Sequence, residues 1–370
     1  MDFTFSEEQD AVRQLAVDVF ASRCDTDRLK AVESSDDRID RELWRELGST
    51  GLLGIALPED LGGGGMGLAE LYVLLEEQGR RVAPVPLWPH TLGALAITEF
   101  GTADQRAEWV PRAAEGDVYL TVGLEEFGPH TGGAPATTAV ENEGVWTLTG
   151  AKAAVPVVHV AECVLVSAST ESGPALFLVN PESVGVTAVH TQSTTREICA
   201  NLTFESAPAE LLGPADGAAV DWLVDRVELA GAALALGVGA GAVTQAVTYV
   251  NGRIQFGRPL ATFQAVNHQL ADCYIDLEAM KVTLWQAVWL LANGEDPGTA
   301  VLVAKWWATD GGQRVVHRTQ HVHGGIGVDT DYPLHRHLLW GKQIAATLGG
   351  ASSDLARLGA QLASGIEVVA

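Results

Sequence analysis

The spacing of hydrophobic residues changes twice along this chain of 370 residues, and that order restricts the fold more than any other feature. The first third of the chain and the part after residue 216 repeat apolar residues at helical intervals. Between them, short runs rich in Val, Leu, Thr and Phe alternate with Gly, Pro, Asn and Ser, which is typical of strands and turns. The sequence therefore predicts an α+β fold with a helical part on each side of a β part.

The predicted N-terminal helical domain covers residues 1–115. Ser6 to Gln9 has the form of a capping box, and apolar residues from Val12 to Phe20 follow at helical spacing. Breaker residues at Pro58, in the glycine run 62–65 and in the proline cluster 84–89 separate the remaining helical segments. Those segments are 43–47, 68–78 and 105–114.

The predicted middle part, residues 116–214, is an antiparallel β domain. Its six clearest strand-like runs are 118–122, 145–149, 163–167, 175–179, 186–190 and 200–204. After it, Val266, Leu270, Cys273 and Leu277 place apolar groups on one face of a helix that continues toward Leu291. Residues 215–370 are therefore predicted to form a C-terminal bundle of about four helices.

The composition excludes several classes of protein. Hydrophobic residues make up 47% of the chain, which excludes global disorder. The 47 acidic residues against 23 Lys and Arg give a net charge of −24, so we expect no nucleic-acid partner. The four cysteines form no CxxC pair, the start of the chain has no apolar leader pattern, and the longest run without polar side chains, Leu229 to Val243, is short for a membrane span. We expect a cytoplasmic protein that does not insert into membranes.

Four stretches of the sequence carry a more specific signal. In the N-terminal part they are Gly51-Leu-Leu-Gly-Ile-Ala-Leu-Pro58-Glu-Asp-Leu-Gly-Gly63 and Phe100-Gly-Thr-Ala-Asp-Gln105, the second followed by Trp109-Val-Pro-Arg112. In the C-terminal part they are Arg253-Ile-Gln-Phe256-Gly257-Arg-Pro-Leu260, followed by Phe263-Gln264, and Gln320-His-Val-His-Gly324-Gly325-Ile-Gly327, followed by Asp331-Tyr-Pro333. Because these stretches occur in the same order and with the same spacing, the chain resembles the acyl-CoA dehydrogenases over essentially its whole length.

The resemblance implies FAD bound at a subunit interface. The residues that would contact the FAD of the facing subunit are Arg253, Phe256, Gln264, Gln320, Gly324 and Gly325. Their chemistry agrees, because an Arg can hold a pyrophosphate bidentately, while an aromatic ring and a Gln can pack on and hydrogen-bond to an adenine. The two glycines let backbone amides approach a phosphate or ribose, although a plain helix C-cap is the alternative for such a pair.

Within the β domain, the residues at the positions that contact the flavin in this family do not match the family pattern. The segment that reads T-E-P-x-A-G-S-D in the family is replaced by Gly123-Leu-Glu-Glu-Phe-Gly-Pro-His130. The family's Trp-Ile-Thr, whose Trp packs on the flavin and whose Thr bonds its reactive nitrogen, falls on Ala154-Val155-Pro156. Alanine offers no stacking surface and proline no amide hydrogen. We expect the chain alone to hold little or no FAD.

The catalytic base of the family is also missing from its expected positions. A Glu with a raised pKa removes the α-proton while the flavin accepts the β-hydride. Its common position in a Tyr-Glu-Gly loop falls here on 348–351, and a second known position falls on Val227. Glu228 points about 100° away around an ideal helix and is expected at the surface or a subunit interface, and Asp354 is expected to be only a polar position on the last helix. We predict no catalytic residue in this chain.

Five histidines crowd between His317 and His337, and His317 with His321 has the spacing of two ligands on one helical face. The Glu of an H-E-x-x-H pattern does not accompany them. Because His321 and His323 lie inside the Gln320 to Gly325 segment, the cluster indicates cofactor-interface or core roles, and no metal site is predicted.

Three interpretations follow from the resemblance. The one we favour is an acyl-CoA dehydrogenase subunit without a base that completes the FAD site of a homologous subunit, in an α2β2 heteromer similar to the two-gene steroid side-chain enzymes of actinobacteria. The likeness of 150–156 and 159–162 to that subgroup suggests a steroid side-chain CoA ester as the acyl-CoA. The alternatives are a complete homomeric dehydrogenase with a displaced base, and a scaffold or flavin oxidase or oxygenase of the same fold.

Overall fold

The computed structural model describes residues 5–128 and 134–365. The helices of its N-terminal third are α1 (Glu7–Arg23), α2 (Thr26–Glu33), α3 (Arg41–Ser49), α4 (Leu68–Arg81), α5 (Leu87–Phe100) and α6 (Ala103–Glu115). The predicted helices correspond to α1, α3, α4 and α6. Helices α2 and α5 were not predicted; α5 begins directly after Pro86 and accommodates Pro89 because amides in a first helical turn need no intrahelical acceptor.

The predicted capping box opens α1. The Gln9 amide donates to Ser6 Oγ at 3.1 Å, and the Ser6 amide donates to Gln9 Oε1 at 3.0 Å. Thr102 and Gln105 repeat the motif at the start of α6, and the Gln105 side chain also donates to the Leu211 carbonyl at 3.2 Å. The second capping box therefore also ties α6 to the β part.

The middle part contains β1 (Leu120–Gly123), β2 (Thr138–Asn142), β3 (Val145–Pro156), β4 (Cys163–Ser169), β5 (Pro174–Val179), β6 (Val186–Gln192) and β7 (Ile198–Leu212). In the described residues these strands form one sheet in the order β1-β4-β2-β3-β7-β5, with β6 on β7 and a further pairing of β4 with β5. The sheet therefore closes on itself. Its inner face is a hydrophobic core that includes Val166, Phe177, Leu202 and Phe204.

Most strand pairs of the described sheet are antiparallel, as predicted, but β4 also takes part in parallel pairing. Strand β1 runs parallel to β4, with Leu120 opposite Cys163, and β2 meets β4 in parallel at Thr138 and Ser169. The β2–β3 hairpin lies between β1 and β4 in the sequence. This long connection lets β4 pair with β1 while running in the same direction as β1. The sheet is mixed.

The C-terminal part contains α7 (Ala218–Gly252), the hairpin strands β8 (Ile254–Gln255) and β9 (Arg258–Pro259), and then α8 (Gln264–Ala292), α9 (Ala300–Trp306), α10 (Gly312–His323), α11 (Leu334–Ala346) and α12 (Ala351–Ala363). A π-helical segment, Trp307–Gly311, joins α9 to α10. The predicted C-terminal helical bundle is confirmed, and in the described residues it contains six α-helices where about four were predicted.

Helix α7 is the long apolar element of the chain. By length and composition it could cross a membrane, but 78% of its most apolar 18-residue window is buried inside the protein, as in the core helix of a soluble fold. Its small residues have a packing reason, since a Cβ added at Gly237 would lie 1.9 Å from the Glu76 carbonyl oxygen of α4. The Gly and Ala content of α7 therefore lets two helix backbones approach closely.

By spatial proximity the described chain forms two compact units. One contains 5–30, 68–83 and 228–365, so α1 and α4 group with the C-terminal helices. The other contains 31–67, 84–128 and 134–227, so α3, α5 and α6 group with the β sheet. The division into 1–115, 116–214 and 215–370 stays a prediction made along the sequence.

Candidate functional site

Arg253 and Phe256 lie on the β8–β9 hairpin, directly after α7. The Arg253 amide donates to the Tyr249 carbonyl at 2.8 Å, which continues the helical hydrogen bonding by one residue. Phe256 and Gly257 form a two-residue turn with positive φ angles of 52° and 76°. The turn suits Gly257 but strains Phe256, whose side chain is 92% exposed. A strained, exposed aromatic ring at a hairpin tip is typical of a residue that contacts another molecule.

Gln264 is the first residue of α8 and is exposed. The preceding Phe263 provides no side-chain cap for the helix among the described residues, and the Arg258 guanidinium lies 4.1 Å from the Phe263 ring centroid. An uncapped helix N-terminus beside exposed arginines favours an anionic group. The region around Gln264 is therefore suited to a phosphate-containing ligand.

Gly324 and Gly325 form an open turn at the end of α10. Gly324 has φ +63° and ψ −142°, a conformation that belongs almost entirely to glycine, and its amide caps α10 by donating to the His321 carbonyl. A Cβ added at either glycine would meet no atom within 4 Å. The pair is thus a helix C-cap and also an exposed backbone that a ligand could approach.

Gln320 lies beneath this turn. The side-chain oxygen and nitrogen of Gln320 are both buried, and neither has a hydrogen-bond partner within residues 5–128 and 134–365. The Gln320 amide lies 2.7 Å from the position that a Cβ at Gly327 would take. An unsatisfied buried amide costs on the order of 1–3 kcal/mol, so this position favours a polar ligand. The exposed side chain beside it belongs to His321, whose Nδ1 is 2.8 Å from Gln269 Oε1.

A small hydrophobic cluster joins the hairpin to α10. Its buried residues are Ala246, Val250 and Val322, and its partly buried members are Tyr249, Leu260, Ala261, Val266 and Leu270. The cluster packs the end of α7 and the start of α8 against α10. The two motifs that the sequence analysis selected therefore share one small core.

The β-domain position expected to contact a flavin ring has an irregular backbone. The pairing of β3 with β7 shifts register between Lys152 and Val155, and Ala154 there has φ 51°. The Ala154 amide donates to Asn201 Oδ1 at 3.0 Å, while the carbonyl of Pro156 accepts from Thr121 Oγ1 at 2.7 Å. These polar groups are used inside the protein, so this bulge does not fit a flavin ring.

The replaced segment that begins at Gly123 is anchored by an ion pair between Glu126 and a buried lysine, Lys152. The Lys152 side chain is fully buried and donates to Glu126 Oε1 at 2.7 Å and to Ser167 Oγ at 3.0 Å. Burial opposes ionisation of Glu126, but hydrogen bonds from Lys152 and the Thr137 and Ala136 amides outweigh it and lower the pKa of Glu126 to about 2. Pro129 and His130 of the replaced segment lie outside the described residues.

Glu228 is not a surface carboxylate, and that expectation was wrong. Its side chain is fully buried and paired with Arg357 of α12, while Oε2 has no hydrogen-bond partner in the described part of the chain. Burial raises the pKa of Glu228, although Arg357 and Lys305 oppose the rise. This burial could not be predicted, because Arg357 lies far away along the chain and no local spacing indicates the pair.

Asp354 is likewise more than a polar position on the last helix. It is fully buried, its Oδ1 lies 3.3 Å from Lys305 Nζ, and its Oδ2 accepts from Thr309 Oγ1 at 3.0 Å. Lys305 also donates to the Leu348 carbonyl at 2.6 Å. The loop that would carry the family's base is therefore held from inside the bundle by a lysine.

The histidines of α10 and α11 do not gather around a common point. His323 and His337 are buried, while His317 and His321 are exposed. Among the residues that the structure describes, no three His, Cys, Asp or Glu side chains come together as metal ligands would. The five histidines therefore have separate environments.

Comparisons with known proteins agree with this geometry. The model of the acyl-CoA dehydrogenase N-terminal domain matches residues 6–117, and that of the acyl-CoA dehydrogenase C-terminal domain matches residues 224–360. Acyl-CoA dehydrogenase FadE27 of Mycobacterium tuberculosis is 37% identical over 373 residues, covering 98% of this chain and 99% of that protein.

Two solved structures have nearly the same fold. A variant of the Tcur3481-Tcur3483 steroid ACAD has 55% identity and a TM-score of 0.94, with 97% of this chain and 98% of that chain covered. The ChsE4-ChsE5 complex from Mycobacterium tuberculosis has 36% identity and a TM-score of 0.92, with 100% of both chains covered. The chain belongs to the acyl-CoA dehydrogenase family.

Proposed function

We propose that this chain is a subunit of a heteromeric acyl-CoA dehydrogenase, and that it completes the FAD site of a homologous partner while contributing no catalytic base. The observation that carries the proposal is an asymmetry in the site. The residues that act across the subunit interface are retained and exposed, as at Arg253 and Gly324. The positions that act within the subunit are replaced, as at Ala154 and Pro156, and their backbone groups bond internally.

The exposed residues of the two C-terminal motifs are suited to contact part of an FAD molecule. Arg253 can pair with its pyrophosphate, Phe256 and Gln264 can meet its adenine, and the Gly324 and Gly325 backbone can approach a phosphate or ribose. The unpartnered amide of Gln320 favours a polar group at the same end of α10. When bound, FAD supplies the hydride acceptor for acyl-CoA oxidation. This chain would hold the cofactor at the interface, and the partner would hold the flavin ring.

The absence of a base at the expected loop supports the same assignment. The loop 348–351 contains no acid, and Lys305 fixes it through the Leu348 carbonyl. Glu228 is engaged with Arg357 rather than exposed to a ligand. Proton abstraction would then depend on a carboxylate of the partner subunit.

The proposed substrate class is a steroid side-chain CoA ester, and the proposed assembly is α2β2 in the cytoplasm. Support for the substrate comes from the 55% identity to a protein described as a steroid ACAD. Support for the assembly comes from full-length similarity to a chain of the two-component ChsE4-ChsE5 complex. Free thiols at all four cysteines agree with a reducing compartment.

The test is the flavin content of the chain purified alone and after co-expression with a homologous subunit. We expect a colourless protein alone, and a yellow complex with one FAD for each pair of subunits. A yellow homo-oligomer with one FAD per chain would contradict the proposal. Turnover with steroid-CoA and with straight-chain acyl-CoA of similar size then tests the substrate class.

A complete homomeric dehydrogenase with a displaced base is the second candidate. The observation that favours it is Glu228, because a buried carboxylate with a raised pKa and one unpartnered oxygen has the properties of a general base. The two candidates differ in the effect of Glu228→Gln on turnover, which is argued below.

A further inference from the structure

His323 lies in an aromatic stack directly before the open Gly324-Gly325 turn. Its ring is buried and stacks on Tyr249 of α7, with centroids 4.4 Å apart and planes at 18°. On its edge, Nε2 lies 3.1 Å from the hydroxyl of Tyr332, which precedes α11. His323, at the end of α10, therefore contacts both α7 and the segment before α11.

The hydrogen bonds determine the tautomer of His323. Nδ1 lies 2.7 Å from the Thr319 carbonyl oxygen, which can only accept, so Nδ1 carries the proton. Nε2 then accepts from the Tyr332 hydroxyl. Burial lowers the pKa of His323, although the Thr319 carbonyl opposes this, and the neutral ring suits both contacts. Both ring nitrogens are thus satisfied and the ring orientation is fixed.

The stack links the two motifs of the interface site. Tyr249, on one side, lies one helical turn before Arg253, and its backbone carbonyl accepts the Arg253 amide at 2.8 Å at the base of the β8–β9 hairpin. His323, on the other side, is covalently joined to Gly324. Next to them, Val322 belongs to the hydrophobic cluster that includes Val250. The packing of the His323 ring therefore connects the helical turn before Arg253 with the residue that precedes the glycine turn.

We infer that His323, held between Tyr249 and Tyr332, is a positioning residue that keeps the Gly324-Gly325 turn and the Arg253 hairpin in register for one ligand. The inference rests on the proposed function, because it names FAD as the ligand that both motifs reach. His323 acts through the backbone on each side of it and does not touch the cofactor. A supporting contact of this kind typically changes ligand affinity about 10- to 100-fold at metal sites, and we expect the lower end here.

The experiment uses the co-expressed complex, stripped of flavin and titrated with FAD. His323→Phe keeps the ring on Tyr249 but removes both hydrogen bonds, and we expect FAD to bind about tenfold more weakly. Tyr332→Phe removes one hydroxyl, and we expect a weakening of about threefold. His190→Phe, at an exposed histidine of β6 outside the proposed cofactor site, is the control and should bind FAD like the unmodified complex.

Two further readouts separate positioning from a general structural role. At saturating FAD, the His323→Phe complex should recover the kcat and the acyl-CoA KM of the unmodified complex. Its melting temperature measured without FAD should change little. A complex that melts much earlier and whose kcat stays low at saturating FAD would show that His323 only stabilises the bundle, which would overturn the inference.

The inference and the proposed function fail in different ways. If His323→Phe binds FAD within twofold of the unmodified complex while Arg253→Ala loses it, the positioning role is wrong and the interface site stands. If neither substitution changes FAD binding, the interface site itself is wrong. If His323→Phe does not assemble, unchanged affinity in Tyr332→Phe overturns the positioning role.

Discussion

The ammonium group of Lys305 donates a 2.6 Å hydrogen bond to the carbonyl oxygen of Leu348. Leu348 lies in the loop between α11 and α12, where the family places its base, and it has a positive φ of 53°. Lys305 also bonds the Thr347 carbonyl at 3.1 Å and pairs with buried Asp354. The loop is therefore fixed by a buried cation instead of carrying a buried acid.

The first prediction concerns this cation. Lys305→Met keeps most of the side-chain volume but leaves Asp354 as a buried carboxylate without its ion-pair partner, so we expect a loss of about 3–5 kcal/mol in the free energy of unfolding. Denaturant unfolding of the complex measures it, and Lys342→Met, at an exposed lysine, is the control. In the double variant Lys305→Met/Asp354→Asn, part of the loss should be recovered, since the unpaired charge is gone. Equal stability of the single and double variants would show that the ion pair has no such role.

The second prediction concerns Arg253. Removal of a charge-assisted bidentate contact costs on the order of 2–3 kcal/mol, or about 30-fold or more in affinity. Arg253→Ala should therefore release FAD from the complex while the subunits remain assembled, because the side chain is exposed on the hairpin. FAD titration measures the affinity and size-exclusion chromatography the assembly. Arg45→Ala, at an exposed arginine of α3, is the control, and unchanged flavin retention in Arg253→Ala would contradict the assignment.

The third prediction concerns pH. His90 is completely buried; its Nε2 donates to the Ala113 carbonyl at 2.9 Å and its Nδ1 accepts from the Leu120 amide at 3.3 Å. Burial lowers the pKa of His90 from 6.5 to about 4, although the bond to Ala113 opposes this. Between these values the unfolded chain binds more protons than the folded chain, so stability increases with pH. Neutral His90 therefore contributes about 3 kcal/mol to the free energy of unfolding above pH 6.5, and this contribution is lost as the pH falls toward 4.

Unfolding free energies from pH 4 to pH 7.5 test this prediction. His90→Gln keeps a donor for Ala113 and an acceptor for Leu120 but does not titrate, so its stability should depend less on pH than that of the unmodified protein. His268→Gln, at an exposed histidine of α8, is the control and should leave the pH dependence nearly unchanged. If His90→Gln leaves the difference between pH 4 and pH 6.5 unchanged, His90 is not the group responsible.

The order of elements could be predicted because each depends on local spacing. The helices α1, α4 and α8 follow from periodicity, and the capping box at Ser6 was recognised from four residues. The parallel pairing of β1 with β4 could not be predicted, since it depends on which strands meet after a long connection. The burial of Glu228 depends on Arg357, 129 positions later, and no pattern in the sequence joins them.

For the same reason, only part of the candidate site could be predicted from the sequence. The motifs at Arg253 and Gly324 could be identified from short runs of residues. The stack of Tyr249, His323 and Tyr332 that supports them could not, because its members come from two helices and from the segment before α11. The unpartnered state of the Gln320 amide is also a property of packing, not of sequence.

The last prediction decides between the two candidate functions. Glu228→Gln changes charge with little change in volume, so it removes a potential base without opening a cavity. If the partner supplies the base, turnover of the complex should change less than about threefold. The pairing with Arg357 adds a separate effect, because an unpaired Arg357 should lower the unfolding free energy by about 1–3 kcal/mol. Turnover is therefore measured well below the melting temperature, with FAD content determined for each preparation.

Arg357→Met is the matched control, since it breaks the same ion pair but leaves the Glu228 carboxyl in place. With a base in the partner, both variants should lose stability and keep turnover, whereas replacing the partner's base Glu by Gln should abolish it. A lost base typically slows proton abstraction by about 10²- to 10⁴-fold. A folded, FAD-containing Glu228→Gln complex that loses two or more orders of magnitude in kcat, while Arg357→Met keeps it, would assign the base to this chain and favour the complete dehydrogenase.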